Sequence, residues 1–375
     1  MDFEFNDDQA TLRKFSRNVL TDHSTPEQVR ELAHGELDVD PKLWKFGTEL
    51  GWTGLAVAEE HGGSGQGLVE LCIVAEEIGR AVASGPFLPT SLVGLGLSQF
   101  ASAKLQKAVL PGLAEGTTSA TWALAEHGGD WTPDAVRATA VKDGTDFVLT
   151  GRKTAVQDAG AVNWILVTAV LDNEPTFFLI DRSAQGVSIH RQKVLDETRS
   201  FYDVELDCVR VDPDHVFGGG KTSVQWLCDA AAVLTSADSL GVGQQLLDMT
   251  VEYVKVRYQF DRPIGSFQAI KHKVSDMAMR IRGTHAATYY AAMALDAGTE
   301  DASKAATVAK SYASDGMSKL AGDALQSHGG IGFTWEHDLH LYLRRAKTDE
   351  ILYGDSPAHQ ERLSTLLIDE RAQSK

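Results

Sequence analysis

The apolar residues of this chain change their spacing twice, and that change limits the folds open to it. From Asn6 to about Gly116 they recur at the helical step. From about Thr117 the step falls to near two, with short β-rich segments at Val136 to Val141, Phe147 to Thr150, Trp164 to Val170, Thr176 to Ile180 and Tyr202 to Val211. Turn residues such as Asp143-Gly144 and Asp172-Asn173 divide them. Past Gly218-Gly219-Gly220 the helical step returns and holds to the end. The pattern predicts an α+β chain: helices over 1–117, a small β-barrel or sandwich over 118–217, and a helical bundle over 218–375. With 375 residues there is room for two or three domains and a sizeable core.

Local signals agree with this division. Asn6 is placed to cap a helix whose first turn carries Asp7 and Asp8. Asp40-Pro41 reads as a cap followed by proline at the first helical position. The cluster Gly62-Gly63-Ser64-Gly65-Gln66-Gly67 has no strand before it and no phosphate-loop lysine after it, so it reads as a plain turn. A helix from about Asp301 to His328 stops at Gly329-Gly330.

The bundle's most informative stretch runs from Val256 to Lys273. Leu246, Met249, Tyr253, Val256 and Phe260 form one apolar stripe, and Ile270, Val274, Met277 and Ile281 form a second. Pro263 cannot continue the first helix, because it lacks a donor and clashes with the preceding turn. Arg257, Arg262 and Gln268 are therefore concentrated at a tight corner between two long helices. Lys271, His272 and Lys273 read as a solvated helix face.

Composition narrows the function. With 52 acidic against 35 basic residues the net charge is −17, which argues against a general nucleic-acid or anionic-membrane surface. No apolar run approaches the roughly 18 residues of a membrane span, and the acidic N-terminus lacks the features of a secretion signal. Cys72, Cys208 and Cys228 are few, scattered and odd in number, which fits neither a disulfide scaffold nor a metal site. Buried reduced thiols in a cytoplasmic protein are the expectation.

The run Arg257-Tyr258-Gln259-Phe260-Asp261-Arg262-Pro263-Ile264-Gly265-Ser266-Phe267-Gln268 resembles the R-x-x-F-x-x-P-I-x-x-F-Q signature of the acyl-CoA dehydrogenase flavoproteins. Gln326, Gly329, Gly330 and Gly332 are similar to a second signature, Q-x-x-G-G-x-G, in the expected order and separation. The resemblance covers about Phe5 to Leu363 and implies that family's plan: an N-terminal α-helical domain, a middle β-barrel and a C-terminal four-helix bundle. It implies FAD lying across a subunit interface. Arg257, Phe260 and Gln268 come from one subunit, and Gln326, Gly329 and Gly330 from its neighbour. The chemistry suits them: guanidinium pairs with pyrophosphate oxygens, and paired glycines let backbone approach a phosphate.

The middle region departs from the family pattern. The T-E-P-x-x-G-S-D stretch reads Ala125-Glu126-His127-Gly128-Gly129-Asp130, and G-x-K-x-W-I-T reads Gly151-Arg152-Lys153-Thr154-Ala155-Val156-Gln157. Ala155 takes the place of a ring-packing tryptophan. The family removes a proton α to a thioester with a glutamate while hydride leaves the β carbon for the flavin. At that glutamate's place stands Tyr353, in Ile351-Leu352-Tyr353-Gly354-Asp355-Ser356. At the alternative place, twenty-six positions before Arg257, stand Ala231 and its neighbour Ala232. Asp229 and Asp355 lie close in sequence but out of register. Asp355 reads either as a carboxylate at a helix N-terminus or as a displaced base in a homotetramer.

These gaps, with the tail Gly332-Phe333-Thr334-Trp335-Glu336-His337-Asp338, resemble actinobacterial acyl-CoA dehydrogenases of steroid-derived thioesters. Those are α2β2 assemblies of unlike chains in which one supplies the base. That resemblance implies a second dehydrogenase chain as partner, acyl-CoA as substrate and electron-transfer flavoprotein as acceptor. A non-catalytic scaffold subunit of such a complex is the remaining expectation.

Overall fold

A computed structural model describes residues 4–35 and 38–373. Its elements follow the expected order. Helices α1 (Asp7–His23), α2 (Pro26–His34), α3 (Pro41–Glu49), α4 (Leu68–Arg80), α5 (Phe87–Phe100) and α6 (Ala103–Ala114) come first. Strands follow: β1 (Ala120–Ala123), β2 (Thr139–Asp143), β3 (Asp146–Gln157), β4 (Trp164–Leu171), β5 (Glu174–Asp181), β6 (Val187–Arg191), β7 (Phe201–Val211) and β8 (Val216–Phe217). Then come α7 (Lys221–Val256), a two-stranded hairpin of β9 (Tyr258–Gln259) and β10 (Arg262–Pro263), α8 (Gln268–Ala297), α9 (Ala302–His328), α10 (Leu339–Ile351) and α11 (Ser356–Gln373).

The caps behave as read. Asn6 accepts from Gln9 N at 2.8 Å while Gln9 accepts from Asn6 N at 3.1 Å, a reciprocal capping box opening α1. Asp40 accepts from Lys42 N at 2.8 Å ahead of Pro41. The glycine cluster forms a turn between α3 and α4.

The strands pair in the order β6-β7-β3-β2-β4-β5-β8, with β1 alongside β4 in parallel. Their shared core includes Leu149, Val156, Val167, Phe178, Val204 and Val209, none exposed. Strands β1, β6 and β8 were not foreseen. All four residues of β1 are buried, so it carries no alternation to read. Strand β6 pairs only with β7 and buries little, which removes its apolar signal. Among the cysteines, Cys72 and Cys228 are buried as expected; Cys208 is exposed, in β7 at φ 54°.

The chain divides into two compact units. One holds residues 1–29, 72–83 and 232–375; the other holds 30–71 and 84–231. In the first, α4 and α7 cross backbone to backbone: a Cβ on Gly79 would lie 1.9 Å from Asp238 O, and one on Gly241 1.8 Å from Glu76 O. Arg345 is fully buried there, 3.4 Å from Asp238, and donates to Val82 O at 3.2 Å and Ala83 O at 3.0 Å. Removing either charge of such a buried pair costs about 3–5 kcal/mol. In the second unit Trp44 stacks on Phe87 at 4.8 Å and donates to Gly116 O at 3.0 Å, fixing α3 to the helices that follow. Among the described residues no helix is long and apolar enough to cross a membrane.

Candidate flavin-binding corner and the base positions

Helix α7 stops at Val256, four residues before the end of the apolar stripe read from the sequence. Phe260 is not helical. It and Asp261 have φ of 53° and 61°, the signature of a two-residue hairpin turn joining β9 to β10. Arg257 O accepts from Ile264 N at 2.8 Å, which closes the hairpin base. Pro263 sits where β10 passes into a short turn of helix, and Gln268 then opens α8. Among the described residues no side chain caps α8, so its start carries the positive end of the helix dipole without a capping acceptor.

The side chains of this corner divide into engaged and free. Arg262 lies over the Phe267 ring, 4.0 Å from its centroid, and Phe260 meets the same ring edge-on at 6.0 Å. Lys273 pairs with Asp323 at 2.7 Å, so it is no mere solvated face. Arg257 and Gln268 are exposed, and among the described residues neither side chain makes a hydrogen bond or ion pair. Phe260 is 85% exposed.

The second motif emerges beside the first. Helix α9 ends at His328, whose ring stacks on Tyr253 of α7 at 4.5 Å, one turn before Arg257. Lys273 and Arg280 of α8 both pair with Asp323 of α9. Both motifs therefore lie at one end of this chain's bundle. Gln326 is exposed, again with no side-chain partner among the described residues. Gly329 has φ 62°, and a Cβ added to Gly329 or Gly330 would meet nothing within 4 Å. A free guanidinium, two free amides, an uncapped helix start and a glycine turn open to space are what a dinucleotide pyrophosphate requires. These residues fit FAD.

The base positions look different. Tyr353 has φ 59° and Gly354 φ 99°, so the chain turns sharply between α10 and α11. Asp355 is half-buried, and its Oδ1 accepts from Ala358 N at 3.0 Å. It is the N-cap of α11. His359 Nε2 donates to Tyr353 O at 3.0 Å, while its Nδ1 is buried with no partner among the described residues; burial pulls this imidazole down to about 4. Below the turn, fully buried Lys310 donates to Asp349 O at 2.8 Å, Glu350 O at 3.2 Å and Ser314 Oγ at 2.7 Å. Burial takes its ammonium down to about 7 against the opposing pull of Asp349, Asp355 and Glu350. At the alternative place Ala231 and Ala232 are each 1% exposed. Asp229 is 3% exposed and accepts from Gln225 Nε2 at 3.0 Å.

The chain matches the family model "Acyl-CoA dehydrogenase, N-terminal domain" over residues 6–117 and "Acyl-CoA dehydrogenase, C-terminal domain" over residues 218–365. Acyl-CoA dehydrogenase IpdE2 of Mycolicibacterium smegmatis is 30% identical over 96% of this chain and 98% of its own length. The chain belongs to the acyl-CoA dehydrogenase family. Its reaction class is therefore the flavin-dependent α,β-desaturation of a CoA thioester. Among solved structures, a variant of the steroid acyl-CoA dehydrogenase pair Tcur3481-Tcur3483 matches at TM-score 0.90 and 31% identity, covering 97% of this chain and 99% of that one. The ChsE4-ChsE5 complex from Mycobacterium tuberculosis matches at TM-score 0.91 and 28% identity over 98% and 99%.

In this acyl-CoA dehydrogenase the ring-side stretches differ most from the motif. Ala155, in place of the tryptophan, adopts φ 50° at a β-bulge between Lys153 and Val156. What sequence reasoning passed over is that Glu126 and Lys153, the matching residues of two divergent stretches, touch at 2.6 Å. Their retention in otherwise altered motifs was the available signal.

Proposed function

We propose that this chain is the flavin-gripping, base-lacking subunit of an acyl-CoA dehydrogenase assembly, acting on a CoA thioester of a bulky, steroid-type acid. Arg257 pairs with the FAD pyrophosphate, Gln268 and Gln326 donate to it from either side, and Gly329-Gly330 lets backbone come close. Phe260 covers the dinucleotide from the hairpin. The two motifs lie together at one end of the bundle, which supports their serving as a shared dinucleotide-binding surface. When bound, FAD accepts the hydride lost from the β carbon.

A partner chain supplies the carboxylate that removes the α proton, in an α2β2 arrangement. One observation carries this: neither base position offers a free carboxylate. Tyr353 stands at one and two buried alanines at the other, and the nearby Asp355 is spent as a helix cap. A base must meet substrate unprotonated and unengaged, and a tyrosine phenol is a poor group for that task. The steroid-type substrate rests on the likeness to a pair whose name calls it a steroid dehydrogenase. Electron-transfer flavoprotein is the acceptor expected for such an assembly.

The test is to purify the chain alone and with the protein that co-purifies from its native source, then record acyl-CoA-dependent dye reduction. Activity confined to the pair supports the proposal. Full activity of the lone chain, abolished by Asp355→Asn, would replace it with a self-sufficient homotetramer.

A further inference from the structure

The two stretches expected to face the flavin ring have lost most of the family pattern, yet they are joined by a buried ion pair. Lys153 Nζ on β3 lies 2.6 Å from Glu126 Oε1; the lysine side chain is fully buried and the glutamate 10% exposed. The same ammonium donates to Leu124 O at 3.1 Å. Glu126 also accepts from Arg137 N at 2.9 and 3.0 Å and from Ala138 N at 2.9 Å. Residues 124–126 begin the loop between β1 and β2, and residues 137–138 end it. One pair thus ties both ends of that loop. Thr154 N adds a third tie, donating to Ala125 O at 2.9 Å. Gly151 allows the approach, since a Cβ there would lie 2.6 Å from that of Ala138. Between the tied ends, residues 127–130 are exposed.

A buried pair of this kind is weak evidence of stability, because each charge has been taken out of water; fixing a shape is its better-supported use. We propose that Lys153 and Glu126 are positioning residues, holding loop 124–138 as a fixed edge against the flavin ring where this chain lacks the usual ring-contact side chains. The role rests on the flavin reading above. It acts through the loop backbone and asks nothing of either charge in the chemistry.

The experiment uses the purified assembly carrying the chain as wild type, Lys153→Met, Lys153→Arg, Glu126→Gln and the double variant Lys153→Met/Glu126→Gln. Backbone hydrogen exchange over residues 124–138 is followed on flavin-stripped protein, and the visible spectrum and reduction potential are measured on bound FAD. Each of Lys153→Met and Glu126→Gln should speed loop exchange about tenfold or more. Each should also shift the flavin spectrum and potential, with partial rescue in Lys153→Arg. The double variant strands no charge, so it carries the same readouts if Lys153→Met does not fold. Faster loop exchange with an unchanged flavin spectrum and potential would reduce the pair to a structural brace and overturn the proposal. So would unchanged loop exchange. A wild-type assembly that holds no FAD, with loop exchange still rising in the variants, would remove the flavin reading and this role with it while leaving the clamp intact.

Discussion

The corner beyond α7 and the turn between α10 and α11 lie in the same unit, yet they treat their polar groups in opposite ways. At the corner, Arg257, Gln268 and Gln326 point outward with no protein partner among the described residues, and the glycine turn faces open space. At the turn, Asp355 caps a helix, His359 holds a carbonyl and Lys310 satisfies the end of α10. Exposed donors without partners cost little in water and are ready for a ligand. Groups already spent on their own backbone are not. The contrast is what the proposed division requires, with binding at the corner and no base at the turn.

The largest expected effect probes the closed turn. His359 is pulled from its ordinary value of 6.5 to about 4 by burial, with its Nδ1 having no acceptor among the described residues. Because the folded value lies below the unfolded one, the unfolded chain takes up the proton first as pH falls. Stability is then whole above about pH 6.5 and is lost toward pH 4, by on the order of 3 kcal/mol. Denaturant titrations at pH 7 and pH 4.5 should show that loss in wild type and most of it abolished in His359→Gln. Equal acid sensitivity in both would mean that the turn is not sealed.

At the corner the opposite holds. The Cβ added by Gly330→Ala meets no protein atom within 4 Å, so unfolding stability should stay within about 0.5 kcal/mol of wild type. FAD affinity should nevertheless fall at least tenfold, roughly 1.4 kcal/mol, as read by flavin retention on gel filtration. Loss of stability together with unchanged affinity would show that the glycine serves the fold and not a ligand.

The smallest effect returns to Asp355. Asp355→Asn keeps a capping side chain, so stability should drop by less than about 1 kcal/mol. Dye reduction by the assembly should not change. A large loss of turnover would make Asp355 the base and erase the contrast between the two regions.

Much of this was legible in the sequence, for identifiable reasons. Asn6 and Asp40 announce helix starts because a cap acts within three residues of itself. The two motifs point to a flavin corner because they resemble, in order and separation, two signatures of the acyl-CoA dehydrogenase flavoproteins. Phe260 misled: its apolar side chain continues the α7 stripe, but the backbone at Phe260 and Asp261 has already turned left-handed, and periodicity does not report φ. The Lys153–Glu126 clamp and the burial of Lys310 depend on residues far apart in the chain meeting in space. The occupation of Asp355 as a cap was one of two open readings, and only the hydrogen bond to Ala358 N decides its structural role.

The account stands or falls on whether Arg257 holds a flavin. Purified side by side at equal protein concentration, the assembly with wild-type chain should be yellow. The same assembly with Arg257→Ala should lose FAD affinity by about 100-fold, the equivalent of roughly 2–3 kcal/mol for a lost charge-assisted contact, and elute colourless with its subunits still together. Equal flavin absorbance in both preparations, or none in either, would contradict it.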